Sequence, residues 1–311
     1  MTSRPVRIGT RASPLALAQA AMVRDALLAA HSDLVVEVVP LSTRGDRVLE
    51  RPLAEIGGKG LFTKEIEAGL AAGELDLAVH SMKDLPTRLP DGLTIGAMLP
   101  RADPRDVLIA LETTAISALP AEALIGTASL RRKAQLLALR PDLRIVVLRG
   151  NVQTRLRKLG EGEVHATLLA RAGLDRLGLS GLDGALTLES EVMLPAVAQG
   201  AIGIECRADD AAILDLLAGI ADAPTMHCVA CERALLDQLD GSCRTPIAAL
   251  AELDADALRL RALVATPDGT ALWRTERAGG VVDAEVLGAE AGRELRRRGG
   301  AALEAVLGAT A

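Results

Sequence analysis

Cys243 sits in Gly241-Ser242-Cys243-Arg244-Thr245-Pro246, among residues that mark a turn and not a helix or strand interior. A thiolate is a side-chain nucleophile able to hold a carbon ligand covalently. By itself the residue reads equally as an ordinary loop thiol. Upstream arginines favour the functional reading.

Three strand-to-helix junctions repeat one chemical theme. Gly9-Thr10-Arg11-Ala12-Ser13-Pro14 offers Ser13 as a helix cap and Pro14 as a first helical residue. The free N–H groups at such a helix start attract anions, and Arg11 adds a guanidinium. Gly126-Thr127-Ala128-Ser129-Leu130-Arg131-Arg132 repeats the order with two arginines in the first turn, and Arg149-Gly150-Asn151-Val152-Gln153-Thr154-Arg155 flanks a glycine turn with arginines. Arginine is disfavoured by the dipole in a first turn, so Arg131 and Arg132 mark a local conflict of the kind found at functional sites. Each junction alone is an ordinary capped helix. Together they predict a ligand with several carboxylates or phosphates.

A carboxylate follows in His80-Ser81-Met82-Lys83-Asp84-Leu85-Pro86, at the end of an apolar strand, the edge where α/β sheets bind ligands. Asp84 is either the partner of Lys83 or a group that stabilises a developing cation and relays a proton. Gly57-Gly58-Lys59-Gly60-Leu61-Phe62 lacks the spacing of a phosphate-binding Walker loop. It reads as a lid carrying Lys59 and Phe62, or as a plain surface loop. His227-Cys228-Val229-Ala230-Cys231 has a C-x-x-C spacing inside a helical run with no second pair. Buried helical cysteines are the favoured reading there over zinc, and no metal is expected.

The elements that must position these groups alternate. Strands are expected near 6–10, 34–41, 75–81, 94–99 and 107–111, then 124–127, 144–149, 166–170 and 201–207. Helices are expected at 14–30, 62–72, 130–139 and 152–159. That alternation predicts α/β layers with largely parallel strands. Helices at 209–220 and 225–239 follow. From about 222 the character changes, with antiparallel strands near 248–252, 257–265 and 270–277 and a helical stretch at 284–307, an α+β segment.

Composition narrows the partners. The 311 residues carry a net charge of −6, yet residues 126–180 hold 11 basic and 4 acidic side chains. A basic middle in an acidic chain suggests a local anion site. With one Phe, one Trp and no Tyr, the chain has few aromatics for base stacking, so nucleic acid is not expected. No membrane span or secretory signal is read, and four cysteines in this length fit a reducing cytoplasm.

Taken together these motifs resemble the porphobilinogen deaminase (hydroxymethylbilane synthase) family. The resemblance runs through Thr10-Arg11-Ala12-Ser13-Pro14-Leu15-Ala16-Leu17, Thr43-Arg44-Gly45-Asp46, the Lys59 and Phe62 loop, Ala78-Val79-His80-Ser81-Met82-Lys83-Asp84, Ser129-Leu130-Arg131-Arg132, Leu148-Arg149-Gly150-Asn151-Val152, Leu194-Pro195-Ala196 and the Cys243 turn. It implies an enzyme, a transferase that joins four porphobilinogen molecules head to tail, releases ammonia at each addition and yields linear hydroxymethylbilane for haem and related tetrapyrroles. It implies a dipyrromethane cofactor on Cys243 by a thioether, with Ser13, Lys83, Asp84, Ser129, Arg131, Arg132 and Arg155 around it. Asp84 matches the catalytic aspartate, which stabilises pyrrole N–H groups and the azafulvene cation left by deamination. Arg11, Ser13, Lys59, Phe62, Ser81, Arg149, Arg155, Arg176 and Gln199 fall at substrate positions.

The resemblance also implies a fold: two α/β domains like those of periplasmic binding proteins, plus a third, smaller α+β domain carrying the cofactor. The expected division is 1–99 with 200–220, then 100–199, then 221–311. A cytoplasmic monomer is implied. Ala198 stands where the family commonly has Gly, Ala128 replaces a common Ser, and Arg244 follows the cysteine where many members have a neutral residue. The non-enzymatic alternative is a two-lobed binding protein for a polycarboxylate.

Overall fold

A computed structural model describes residues 4–42, 63–111, 113, 115–241 and 245–308. The chain divides into two compact units: residues 1–102 with 201–226, and residues 103–200 with 227–311.

The first unit is built on a five-stranded sheet. β1 (Val6–Arg11) pairs in parallel with β2 (Val36–Leu41) and with β3 (Leu77–Ser81). β4 (Leu93–Met98) closes the far edge, and β10 (Ile202–Arg207) lies between β3 and β4, antiparallel to both. α1 (Pro14–Ala30) starts where β1 ends, because Ser13 Oγ accepts from Ala16 N and Pro14 has no N–H to leave unpaired. Ala16, Ala20, Val23 and Leu27 recur at helical spacing along its buried face. Ala20, Val23 and Leu27 pack with Ile8, Leu77 and Ile204 in an aliphatic core, joined by Leu217 of α6 (Ala211–Ala218). α2 (Lys64–Ala71) buries Ile66 and Leu70 against Leu75 and Ala78.

The second unit contains another five-stranded sheet of the same pattern. β6 (Leu124–Gly126) runs parallel to β7 (Arg144–Val146) and β8 (Ala166–Ala170). β5 (Asp106–Ala110) is antiparallel to β8 and to the edge strand β9 (Ala185–Thr187). α3 (Leu130–Leu139) and α4 (Val152–Gly160) follow β6 and β7, capped by Ser129 and Asn151, and α5 (Arg171–Arg176) follows β8. The same unit holds an antiparallel meander, β11 (Ile247–Asp254), β12 (Ala257–Ala265) and β13 (Leu272–Gly280), followed by α8 (Ala284–Gly308). Ala134 of α3, Leu194, Leu250 and Leu263 form one apolar cluster, so the meander packs against α3.

The expectation of largely parallel strands holds, although both five-stranded sheets are mixed: in each, four strands run the same way and one opposes them. Their fourth strands, β10 and β5, reverse direction because the chain reaches them from outside the run of strand–helix–strand crossovers. β9 and α5, with 3 and 6 residues, went unread; they are too short for a periodic pattern. Cys228 and Cys231 are buried in α7 (Ala223–Gln238), as read for helical cysteines.

Candidate active site

In the first unit, one pocket gathers Arg11, Ser13, Gln19, His80, Ser81 and Asp84 at the carboxyl ends of β1 and β3. The cap bond uses a lone pair of Ser13 Oγ and leaves its O–H to donate. Gln19 is buried on α1 and donates from Nε2 to Ser81 Oγ at 2.8 Å. β3 runs into a 3₁₀ turn over Met82–Asp84, with Met82 buried, Lys83 half-buried and Asp84 exposed. That turn sits close on β10 because Gly203 has no side chain; a Cβ there would overlap Met82 Sδ. Behind Ser81, His80 Nε2 lies 2.8 Å from Glu205 Oε2, both side chains buried. Burial, reinforced by the negative charge of Glu205, raises the Glu67 carboxyl on α2 above its usual value.

The second unit brings Arg131, Arg132 and Gln199 onto one buried carboxylate, Asp106. Arg131 Nη1 donates to Asp106 Oδ2 at 2.6 Å and to Leu194 O at 2.8 Å. Arg132 Nη2 donates to Asp106 Oδ1 at 2.7 Å, and its Nη1 donates to Leu168 O at 2.8 Å. Gln199 Nε2 donates to Asp106 Oδ1 at 3.0 Å and to Pro104 O at 2.6 Å. Both arginines are 5% exposed and Asp106 is fully buried. The first-turn conflict read in the sequence is therefore met by an acid from β5. Burial alone would raise the Asp106 carboxyl, but the charges of Arg131 and Arg132 outweigh it and hold it far below the carboxylate range. Burial lowers Arg131, with Arg132 adding to the effect and Asp106 opposing it.

The remaining cations take separate positions. Gly150 holds φ at 113°, a conformation that glycine adopts readily, and turns the chain into α4, where Asn151 Oδ1 accepts from Thr154 N at 2.8 Å. Arg155 Nε donates back to Gly150 O at 2.9 Å, and Arg149 is half-buried at the same turn. Arg176 Nη2 donates to Gly200 O at 2.6 Å, and burial pushes its pKa down to about 10. Lys59, Phe62 and Cys243, all named from the sequence, lie outside the described residues.

Asp106 and the His80–Glu205 pair received no role from the sequence. An acid opening the apolar run Val107-Leu108-Ile109-Ala110, just after Pro100 and Pro104, was the available signal for Asp106. For Glu205 there was none, since its partner lies 125 residues away in the chain. Among the described residues no group of His, Cys, Asp and Glu is arranged to hold a metal ion.

Each mixed α/β unit places at least one arginine near a capped helix start, an arrangement suited to anionic ligands. The description "Porphobilinogen deaminase, dipyromethane cofactor binding domain" matches residues 6–215, and "Porphobilinogen deaminase, C-terminal domain" matches residues 226–297. Porphobilinogen deaminase of Paracoccus denitrificans (strain Pd 1222) is 55% identical over 296 residues, 94% of each chain. The chloroplastic porphobilinogen deaminase of Oryza sativa subsp. japonica is 52% identical over 303 residues, 95% of this chain and 84% of that one. Among solved structures, the Bordetella pertussis BvgS VFT2 domain aligns at 14% identity and a TM-score of 0.42, over 69% of this chain and 85% of that one. The GluR0 ligand binding core aligns at 11% identity and a TM-score of 0.40, over 71% and 92%. The chain belongs to the porphobilinogen deaminase family.

Proposed function

We propose that this chain is a hydroxymethylbilane synthase, joining four porphobilinogen molecules head to tail into linear hydroxymethylbilane. One observation carries the reading: the cofactor-domain description spans residues 6–215 and so includes every described residue named for the site. In each addition the aminomethyl C–N bond of porphobilinogen breaks, ammonia leaves, and a carbon–carbon bond forms with loss of one proton.

The described residues suit a dipyrromethane with its several carboxylates. Arg131 Nε is buried and has no hydrogen-bond acceptor among the described residues, a donor left for a ligand oxygen. Bound there and linked through the Cys243 sulfur, the cofactor supplies a nucleophilic pyrrole carbon from which the product is built. Ser129, Arg131, Arg132 and Arg155 bind carboxylates in the second unit, and Ser13, Lys83 and Asp84 serve in the first. Arg11, Ser81, Arg149, Arg176 and Gln199 bind substrate, together with Lys59 and Phe62. An Asp84 carboxylate oxygen stabilises the cation left when ammonia departs and takes up a proton during bond formation.

We read the chain as three domains, 1–99 with 200–220, 100–199 and 221–311, and as a cytoplasmic monomer. Among the described residues no single helix is long and apolar enough to cross a membrane. Gel filtration of the purified protein checks the monomer.

Intact-mass measurement with peptide mapping tests the function. The expected result is an adduct of two pyrrole units on Cys243, lost in Cys243→Ala, together with ammonia release from porphobilinogen. An unmodified chain that binds polycarboxylates and releases no ammonia would establish the non-enzymatic alternative.

A further inference from the structure

Three residues picked out from sequence, Arg131, Arg132 and Gln199, donate to the same carboxylate, yet Asp106 belongs to none of the motifs that selected them. β5 is antiparallel to β8, with Asp106 opposite Ala170, so the first residue of β5 lies level with the last residue of β8. This is the carboxyl edge of the parallel strands, where α3 begins. Asp106 is 0% exposed. A lone buried carboxylate is costly, and two guanidiniums side by side repel; the three together retain one net positive charge.

The hydrogen bonds are unevenly shared. Both that Arg131 donates to the chain leave from Nη1, to Asp106 Oδ2 and Leu194 O. Its Nε is buried with no acceptor among the described residues. A carboxylate engages arginine through two parallel N–H bonds, and the Nε–Nη2 edge supplies such a pair. Arg132 differs, because its Nε and Nη2 both donate to Asp106 Oδ1, at 3.2 and 2.7 Å.

We propose that Asp106 is a positioning residue: by holding Arg131 through Nη1 and Arg132 through Nε and Nη2, it keeps the Nε–Nη2 edge of Arg131 for one ligand carboxylate. This rests on the proposed role of Arg131 in holding the cofactor. In this role Asp106 acts through the two arginines it holds and not by a contact of its own with the ligand. Gln199, bonded to both Asp106 and Pro104 O, fixes the carboxylate in turn.

The test compares Asp106→Asn with Arg131→Lys, measuring the fraction of purified protein carrying the Cys243 adduct by intact mass, kcat and KM on the loaded fraction, and thermal stability. Asn keeps the shape of Asp106 and one acceptor oxygen but loses the charge. The expected result is a loaded fraction reduced on the order of 10-fold or more in both variants, since misplacing a binding group by about 1 Å carries penalties of that size. Full loading with unchanged kcat/KM in Asp106→Asn, whatever its melting temperature, while Arg131→Lys loads poorly, would overturn the role of Asp106 alone. Full loading of Arg131→Lys would overturn the cofactor reading of Arg131 and the proposal with it. If Asp106→Asn fails to fold, Asp106→Glu replaces it: the charge stays but the acceptor moves by one methylene, with the same loss expected and full loading again overturning the proposal.

Discussion

His80 Nε2 and Glu205 Oε2 are 2.8 Å apart in the buried floor of the first unit, on neighbouring antiparallel strands. Gly203 pairs with His80 and Glu205 lies two residues further along β10, so the two side chains share a face as diagonal neighbours. Glu205→Ala should destabilise the protein by roughly 1–3 kcal/mol, because it leaves the buried His80 Nε2 without its hydrogen-bond partner. Glu205→Gln, which keeps an acceptor, should lose less. Urea unfolding of both variants measures the difference.

Glu67 makes stability depend on pH in a defined direction. Its carboxyl is raised in the folded protein, mainly by burial. Between the unfolded and folded pKa values the native state holds a proton that the unfolded chain has released, so stability falls as pH rises through that window. Glu67→Gln should remove this contribution and raise the melting temperature at neutral pH relative to wild type. The gain should disappear below the unfolded value of 4.5. Thermal scans at pH 4 and pH 7 test the sign.

Ala198 occupies φ 58°, left-handed space, while its N–H donates to Glu232 Oε2 at 2.6 Å. A side chain is strained there and glycine is not. Ala198→Gly should stabilise the fold by roughly 0.5–1 kcal/mol, the strain relieved less the added freedom of the unfolded chain. Denaturant midpoints would show it.

Two thiols should be chemically silent. Burial pushes the pKa of Cys206 to about 11 and that of Cys231 to about 12. At pH 8 neither should be alkylated by iodoacetamide in the native protein, and both should react after denaturation. Mapping the alkylated peptides by mass distinguishes the two states.

Asp84 should act on the transition state of each addition and not on the binding of substrate. Asp84→Ala should lower kcat on the order of 10²-fold with little change in KM, because a developing positive charge benefits from the carboxylate more than the bound substrate does. Steady-state kinetics with porphobilinogen, at matched cofactor loading, measure the split.

Local chemistry was legible where it involved near neighbours. Ser13 and Ser129 could be read as caps because the donating N–H lies three residues away, and both caps form. The apolar spacing of residues 14–30 could be read as a helix for the same reason. The reversal of one strand in each five-stranded sheet was not legible. β10 and β5 carry the same alternation whichever way they run, and only assembly of the sheets sets their sense.

The amino-acid sequence determined which segments become helices and strands, where helices begin, and that cations concentrate in residues 126–180. It also carried the motifs that relate the chain to its family. Tertiary structure alone decided that Arg131 and Arg132 are buried against Asp106, 25 and 26 residues away, and that His80 meets Glu205 across 125. Periodicity and capping act over a few residues. Partners so distant in the chain leave no local pattern, and they meet only because reversing a strand carries its first residues to the other edge of the sheet.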